Sequence, residues 1–277
     1  MRDYTKLDQP DILQYLFIPR QETRPATPPN THNIDIEVDE NIVLGCRLHL
    51  HDKASATILF FHGNGETVYD YEDIAQSFCR TGINFFIATY RGYGWSNGTP
   101  TVEKMMHDCP SIYSGVQQAM KEFDLRSEAL FVMGRSIGSA AAIELCSLYD
   151  DSIRGLIIES GFADTLPLLR NLGMESLGEF TGEHEGFGNR EKIATIIMPT
   201  LILHGAADTL IPVPQAERLQ AFSGARTKKF FVIPGADHNG VISSGGELYF
   251  TTIKDFIDDI TGVSSWRNKR KKYRAER

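Results

Sequence analysis

Two hydrophobic rhythms run along this chain. Residues 33–38, NIDIEV, and 42–50, IVLGCRLHL, alternate apolar with polar side chains around the turn residues Asp39, Glu40 and Asn41. A period of two marks half-buried strands, so these stretches are expected to pair as an antiparallel hairpin. From residue 56 the rhythm changes to solid apolar runs: ATILFFH at 56–62, NFFIATY at 84–90, ALFVMG at 129–134, GLIIES at 155–160, TLILHG at 200–205 and KFFVIP at 229–234. Consecutive apolar positions suit a strand covered on both faces, as in a parallel sheet flanked by helices. Stretches with helical spacing lie between the runs, at about 68–80, 101–122, 137–149, 214–222 and 247–260.

Strand and helix therefore alternate, which predicts an α/β domain with a mostly parallel sheet of about eight strands, right-handed crossovers and helices on both faces. The rhythm breaks once. About 40 residues separate Ser160 from Thr200, where a single crossover helix needs only roughly 15–20. That marks an insertion at about 163–198, expected to form a short helix and a polar loop as a small lid. The layout is then a segment at 1–32 that packs on or leads into the fold, a domain at 33–261, and a tail at 262–277. Within the first segment, TRPATPPN at 23–30 reads as an extended connector.

Composition fits this picture: 42% apolar and 23% charged residues supply a full core and argue against disorder. The formal net charge of −8 gives no reason to expect nucleic acid as a partner. The tail is a separate object, because WRNKRKKYRAER at 266–277 carries seven Lys or Arg against one Glu. It reads either as a solvated end or as a patch for anionic lipid or a protein partner. The first twenty residues contain no apolar core of a signal peptide, and no run reaches the length of a membrane span, so a soluble, cytoplasmic protein is expected. Cys46, Cys79, Cys109 and Cys146 are far apart and form no CxxC pair, which fits reduced thiols. No metal-ligand spacing and no dinucleotide fingerprint is present, so no metal or cofactor is implied.

The candidate chemistry begins at Gly134-Arg135-Ser136-Ile137-Gly138, a G-x-S-x-G string that follows a buried strand directly and opens a helix directly. A turn that tight needs small residues beside the serine and lifts its hydroxyl above the sheet edge. The plainer alternative is a serine that only caps the helix. A serine hydroxyl at its own pKa is a weak nucleophile and needs a base. Of eight histidines, His238 in GADHNG follows the last strand, and loops after parallel strands gather on the edge that carries Ser136. His204 ends a strand on the same edge and is expected to shape the turn that presents Asp208.

Asp208, in LILHGAADTLIPV, is the candidate for orienting the imidazole, with Glu159 and Asp164 as competing carboxylates. For the developing oxyanion the expected donors are the backbone N–H groups of Ile137, at a helix N-terminus, and of Asn64, in the His62-Gly63-Asn64-Gly65-Glu66 turn. Phe162, Leu166 and Trp95 are the candidates for lining a substrate pocket.

These residues resemble the α/β-hydrolase superfamily and, within it, the BEM46-like group related to serine aminopeptidase-like hydrolases. The resemblance covers roughly residues 10–260 and rests on YLFIPR, FFHGNGE at 60–66, YRGYGWSNGTPT at 90–101, GRSIGS at 134–139, LILHGAADTLIPV at 201–213 and PGADHNG at 234–240. It implies an α/β-hydrolase fold, Ser136 as nucleophile, His238 as base, Asp208 as acid, and the Asn64 and Ile137 amides as oxyanion hole. The chain departs from many relatives at Thr89, where they carry a carboxylate, and at Gly65, where they carry alanine; both changes bear on the pocket floor.

The expected reaction is acyl transfer to water from a small or medium carboxylic ester or thioester, through an acyl-enzyme and without a cofactor. The alternatives are an oligopeptidase or aminopeptidase-like hydrolase, which uses the same triad, and a hydrolase-fold protein that binds a ligand without catalysis.

Overall fold

The computed structural model describes residues 2–127, 129–174 and 180–263. The basic tail at 266–277 lies outside the described residues.

The chain opens with a short helix α1 (Pro10–Leu16), then the hairpin β1 (Thr31–Asp39) and β2 (Ile42–His49). Strand β3 (Thr57–Phe61) is followed by a 3-10 turn at Val68–Tyr71 and α2 (Glu72–Arg80), and β4 (Asn84–Ala88) by α3 (Val102–His107) and α4 (Cys109–Glu122). Next come β5 (Leu130–Arg135), α5 (Gly138–Leu148) and β6 (Gly155–Glu159). The insertion holds α6 (Thr165–Asn171), a 3-10 turn at Glu183–Glu185 and α7 (Asn189–Thr195). The domain closes with β7 (Thr200–Gly205), α8 (Val213–Phe222), β8 (Lys228–Ile233) and α9 (Val241–Thr261).

All eight strands form one sheet in the order β1-β2-β4-β3-β5-β6-β7-β8. The hairpin pairs antiparallel with itself and with β4, and the strands from β3 to β8 run parallel. This is the α/β-hydrolase fold. The solid apolar runs are explained by two cores, one on each face. In β3, Ile58 and Phe60 pack with Phe78 of α2 and Phe256 of α9. Leu59 and Phe61 turn to the other face and pack with Ile112 of α4 and Ala140 to Ile143 of α5. Adjacent side chains on opposite faces are what a pleated strand dictates. Among the described residues no helix is long and apolar enough to cross a membrane.

The insertion is more helical than a short helix and a polar loop. The Glu183 carboxylate accepts from the Thr165 and Leu166 N–H groups at 2.6 and 2.8 Å, capping α6 from eighteen residues downstream. A cap that distant leaves no local signature in the sequence, because its partner comes from the fold and not from the neighbouring turn.

Candidate active site

Ser136 lies between the end of β5 and the start of α5 with φ at +53°, in the left-handed region that non-glycine residues avoid. The surroundings hold it there. Its N–H donates to the Glu159 carbonyl at 2.9 Å, and its own carbonyl accepts from the Ser139 N–H at 3.0 Å and hydroxyl at 2.6 Å. The flanking glycines are required by contact: a Cβ on Gly134 would sit 2.3 Å from the Gly138 carbonyl oxygen, and one on Gly138 2.3 Å from that of Phe61.

The loops after β7 and β8 bring two more groups to the same edge. His238 Nε2 is 2.9 Å from Ser136 Oγ, and His238 Nδ1 is 2.8 Å from Asp208 Oδ2. Because an ionised carboxylate only accepts, Nδ1 carries the proton and Nε2 is left to accept from the serine hydroxyl. Asp208 is buried and held in turn: its Oδ1 accepts the Ile211 N–H at 2.8 Å. His204 donates Nε2–H to the Ile211 carbonyl at 2.6 Å and lies 3.4 Å from Asp208 Oδ2, so it braces the turn as expected of it. Burial lowers the His204 pKa and favours the neutral ring. The competing carboxylates are engaged elsewhere. Asp164 pairs with Arg190 and Arg218, and Glu159 accepts from Tyr249 Oη and faces Arg135.

Asn64 and Ile137 both border the cavity that holds Ser136. Among the described residues neither backbone N–H has a protein acceptor. The Asn64 turn rests on His62, which is fully buried, with Nδ1–H donating to the Gly63 carbonyl at 2.8 Å and Nε2 accepting from the Thr89 hydroxyl at 3.0 Å. Burial lowers the His62 pKa, so a neutral threonine suits it. Neither Thr89 nor Gly65 borders the cavity, so these two departures do not reshape the pocket floor.

One group of residues had no role assigned from the sequence. Arg135, the variable residue before Ser136, is 6% exposed, and its guanidinium pairs with Glu66 and Glu159. It also donates to Asn239 Oδ1 at 2.8 Å and to the His238 carbonyl at 3.3 Å. Glu66 accepts the Gly63 N–H at 2.6 Å and the Tyr71 hydroxyl at 2.5 Å. Burial raises the Glu159 pKa, against Arg135 and the Tyr249 hydroxyl, which both favour its carboxylate. Arg135 thus ties the Asn64 turn, the serine turn and the histidine loop to one cation. The available signal was a charge at the end of an otherwise apolar strand, which has to find a partner.

The cavity has a volume of about 210 Å³. Its apolar wall is Tyr15 and Leu16 from α1, Leu168 and Leu172 from the insertion, and Leu210 from the Asp208 loop. None of Phe162, Leu166 and Trp95 borders it, which corrects the expectation from sequence. Phe162 is fully buried and packs edge-on to Phe187 at 5.2 Å. Leu166 comes two residues before Leu168, about 200° around α6, and is half-buried away from the cavity. Trp95 donates Nε1–H to Asp35 of the hairpin at 2.9 Å. A wider groove of about 660 Å³ runs between β1 and α4, but its lining holds no histidine or cysteine to activate a nucleophile.

A family model described as serine aminopeptidase, S33, matches residues 52–182. The protein bem46 of Schizosaccharomyces pombe is 30% identical over 232 residues, covering 81% of this chain and 75% of its own. Among solved structures, the esterase Pf2001 of Pyrococcus furiosus superposes with a TM-score of 0.71 at 16% identity, covering 88% of this chain and 99% of its own. Est1E of Butyrivibrio proteoclasticus, solved with ferulic acid bound, does so with a TM-score of 0.65 at 19% identity, covering 83% and 99%.

Proposed function

This chain belongs to the α/β-hydrolase superfamily, in its BEM46-like group, and from that premise we propose that it is a serine hydrolase cleaving small carboxylic esters or thioesters. The observation that carries the reading is the unbroken hydrogen-bonded chain from Ser136 Oγ through His238 to the buried Asp208, at the edge of a small apolar cavity.

The steps follow from the donors and acceptors. Ser136 Oγ attacks the acyl carbon while its proton passes to His238 Nε2, and Asp208 stabilises the imidazolium. The carbonyl oxygen becomes an oxyanion facing the Ile137 and Asn64 N–H groups, with the N-terminal dipole of α5 adding to its stabilisation. His238 returns the proton to the leaving alcohol or thiol. Water then repeats the sequence on the acyl-enzyme and frees the acid.

The S33 match keeps an aminopeptidase in view. Such an enzyme has to hold an α-ammonium group beside the scissile carbonyl, which calls for a free carboxylate in the cavity. Glu66 is the only carboxylate among its described lining residues, and it is occupied by Arg135, Tyr71 and the Gly63 N–H. That favours an uncharged ester. The Est1E structure with ferulic acid favours a small acid product too.

A fluorophosphonate label is expected on wild-type protein and absent from Ser136→Ala. Equal labelling of the two, or none on wild type, removes Ser136 as nucleophile. Kinetics on p-nitrophenyl esters, acyl thioesters and aminoacyl amides then assign the substrate; an optimum on the amides overturns the esterase reading.

A further inference from the structure

The segment that precedes the hairpin is not a mere lead-in to the fold. Tyr15 and Leu16, at the end of α1, border the cavity together with Leu168 of α6 and Leu172 just after it. The chain leaving α1 is hydrogen-bonded to Asn64 on both sides. Asn64 Nδ2 donates to the Tyr15 carbonyl at 3.1 Å, and Asn64 Oδ1 accepts the Ile18 N–H at 2.7 Å and the Tyr93 hydroxyl at 3.0 Å. Both polar atoms of the Asn64 carboxamide are therefore engaged, by this segment and by buried Tyr93. Further upstream, Arg2 donates to the carbonyls of Glu183, His184 and Gly186 at 3.0, 2.9 and 2.9 Å. Lys192 of α7 reaches the Tyr4 hydroxyl at 2.7 Å. The first eighteen residues and the insertion are thus fastened to each other as well as to the turn beside Ser136.

We propose that residues Tyr15 and Leu16 determine specificity, forming the wall that limits how long an acyl chain the Ser136 cavity accepts. The inference rests on the ester-hydrolase reading above for its substrate class. Its physical basis is separate: Leu16 is 1% exposed, packed into the core from one side and bordering the cavity on the other, so its side chain occupies space that a longer acyl chain would need. Hydrogen bonds that fix the main chain at residues 15 and 18 keep that wall from drawing back.

The test is a series of p-nitrophenyl esters from two to twelve carbons with wild type, Leu16→Ala and the milder Tyr15→Ala, whose site is half-exposed. Removing the Leu16 side chain opens room for about two to three methylenes. The kcat/KM ratio of octanoate to acetate is expected to rise about tenfold. An unchanged ratio in both variants, or an equal fall at every length, overturns the wall. Binding of n-alkyl methyl ketones in a Ser136→Ala background, followed by calorimetry, reads the same limit without chemistry. If wild type hydrolyses no ester, the ester reading fails while the ketone series still decides the wall: the longest ketone bound has to lengthen with Leu16→Ala or Tyr15→Ala.

Discussion

The reactive groups and the wall that faces them are held in different ways. Ser136, Asp208 and His238 sit on loops that leave β5, β7 and β8 at one sheet edge, where the strand register sets their spacing. Behind them Arg135 draws three loops together in a buried network. The wall instead comes from α1 and α6, each seven residues long, below the length at which a helix is stable by itself in water. It is fastened by a few long-range contacts: Arg2 on three carbonyls, Glu183 on the first turn of α6, and Lys192 between Glu144 and Tyr4. In this molecule the chemistry sits where the backbone is over-determined, and substrate reach sits where a handful of side chains can change without moving it.

The largest effect is expected at Asp208. Asp208→Asn keeps the shape but turns an acceptor into a group that favours the wrong imidazole tautomer. Steady-state hydrolysis of a short p-nitrophenyl ester is expected to lose about 10⁴ in kcat. A loss below about tenfold would mean that Asp208 does not orient His238. Arg135→Met probes the support behind the triad. It leaves Glu66 and Glu159 facing each other without their cation, so urea unfolding is expected to register a loss of about 3–5 kcal/mol. If stability is untouched, the network is not what fixes the three loops.

The same contrast explains what was legible in the sequence. Strands β3 to β7 announced themselves because burial on two faces demands unbroken apolar runs, and β8, half-buried at the sheet edge, carries a run of the same kind. Ser136, His238 and Asp208 could then be placed on one edge by topology alone. The wall was illegible for the opposite reason. Tyr15 and Leu16 lie before the first strand, in the YLFIPR string that carries part of the family resemblance but gives no sign of a place at the cavity. Their contact with Asn64 spans almost fifty residues and depends on side chains meeting main chain, which no periodicity records. Phe162 and Trp95 were attractive as aromatics close to functional strings, but one is filled in by Phe187 and the other turns to the hairpin. Arg135 has no signature of its own, because a G-x-S-x-G pattern leaves its position free.

Loosening the wall is a gentler perturbation. Arg2→Ala removes three donor contacts to the turn at Glu183–Gly186 and is expected to cost roughly 1–2 kcal/mol. The loss belongs to the wall, so amide exchange is expected to quicken across residues 180–195 while the rate of fluorophosphonate labelling changes by less than about threefold. Exchange that quickens equally at the loops after β5, β7 and β8 would show that the two regions open as one unit.

Acid gives the smallest effect, through two buried histidines of the reactive region. His62 and His204 brace the reactive loops from below, and burial lowers both pKa values, whereas His184 of the insertion is exposed. An unfolded histidine titrates near 6.5, so below that pH the unfolded chain binds protons that the folded chain refuses. Stability from His62 and His204 is therefore complete above about pH 6.5 and is lost as the pH falls toward their lowered folded values. Each buried ring contributes at most about 1 kcal/mol of that loss between pH 6.5 and 5.5. Urea titrations at the two pH values are expected to give a shallower acid decline for His62→Gln than for wild type. The glutamine amide can still donate to Gly63 and accept from Thr89, so the comparison isolates the proton from the hydrogen bonds. Equal acid declines in the two proteins would place the sensitivity outside the floor of the site.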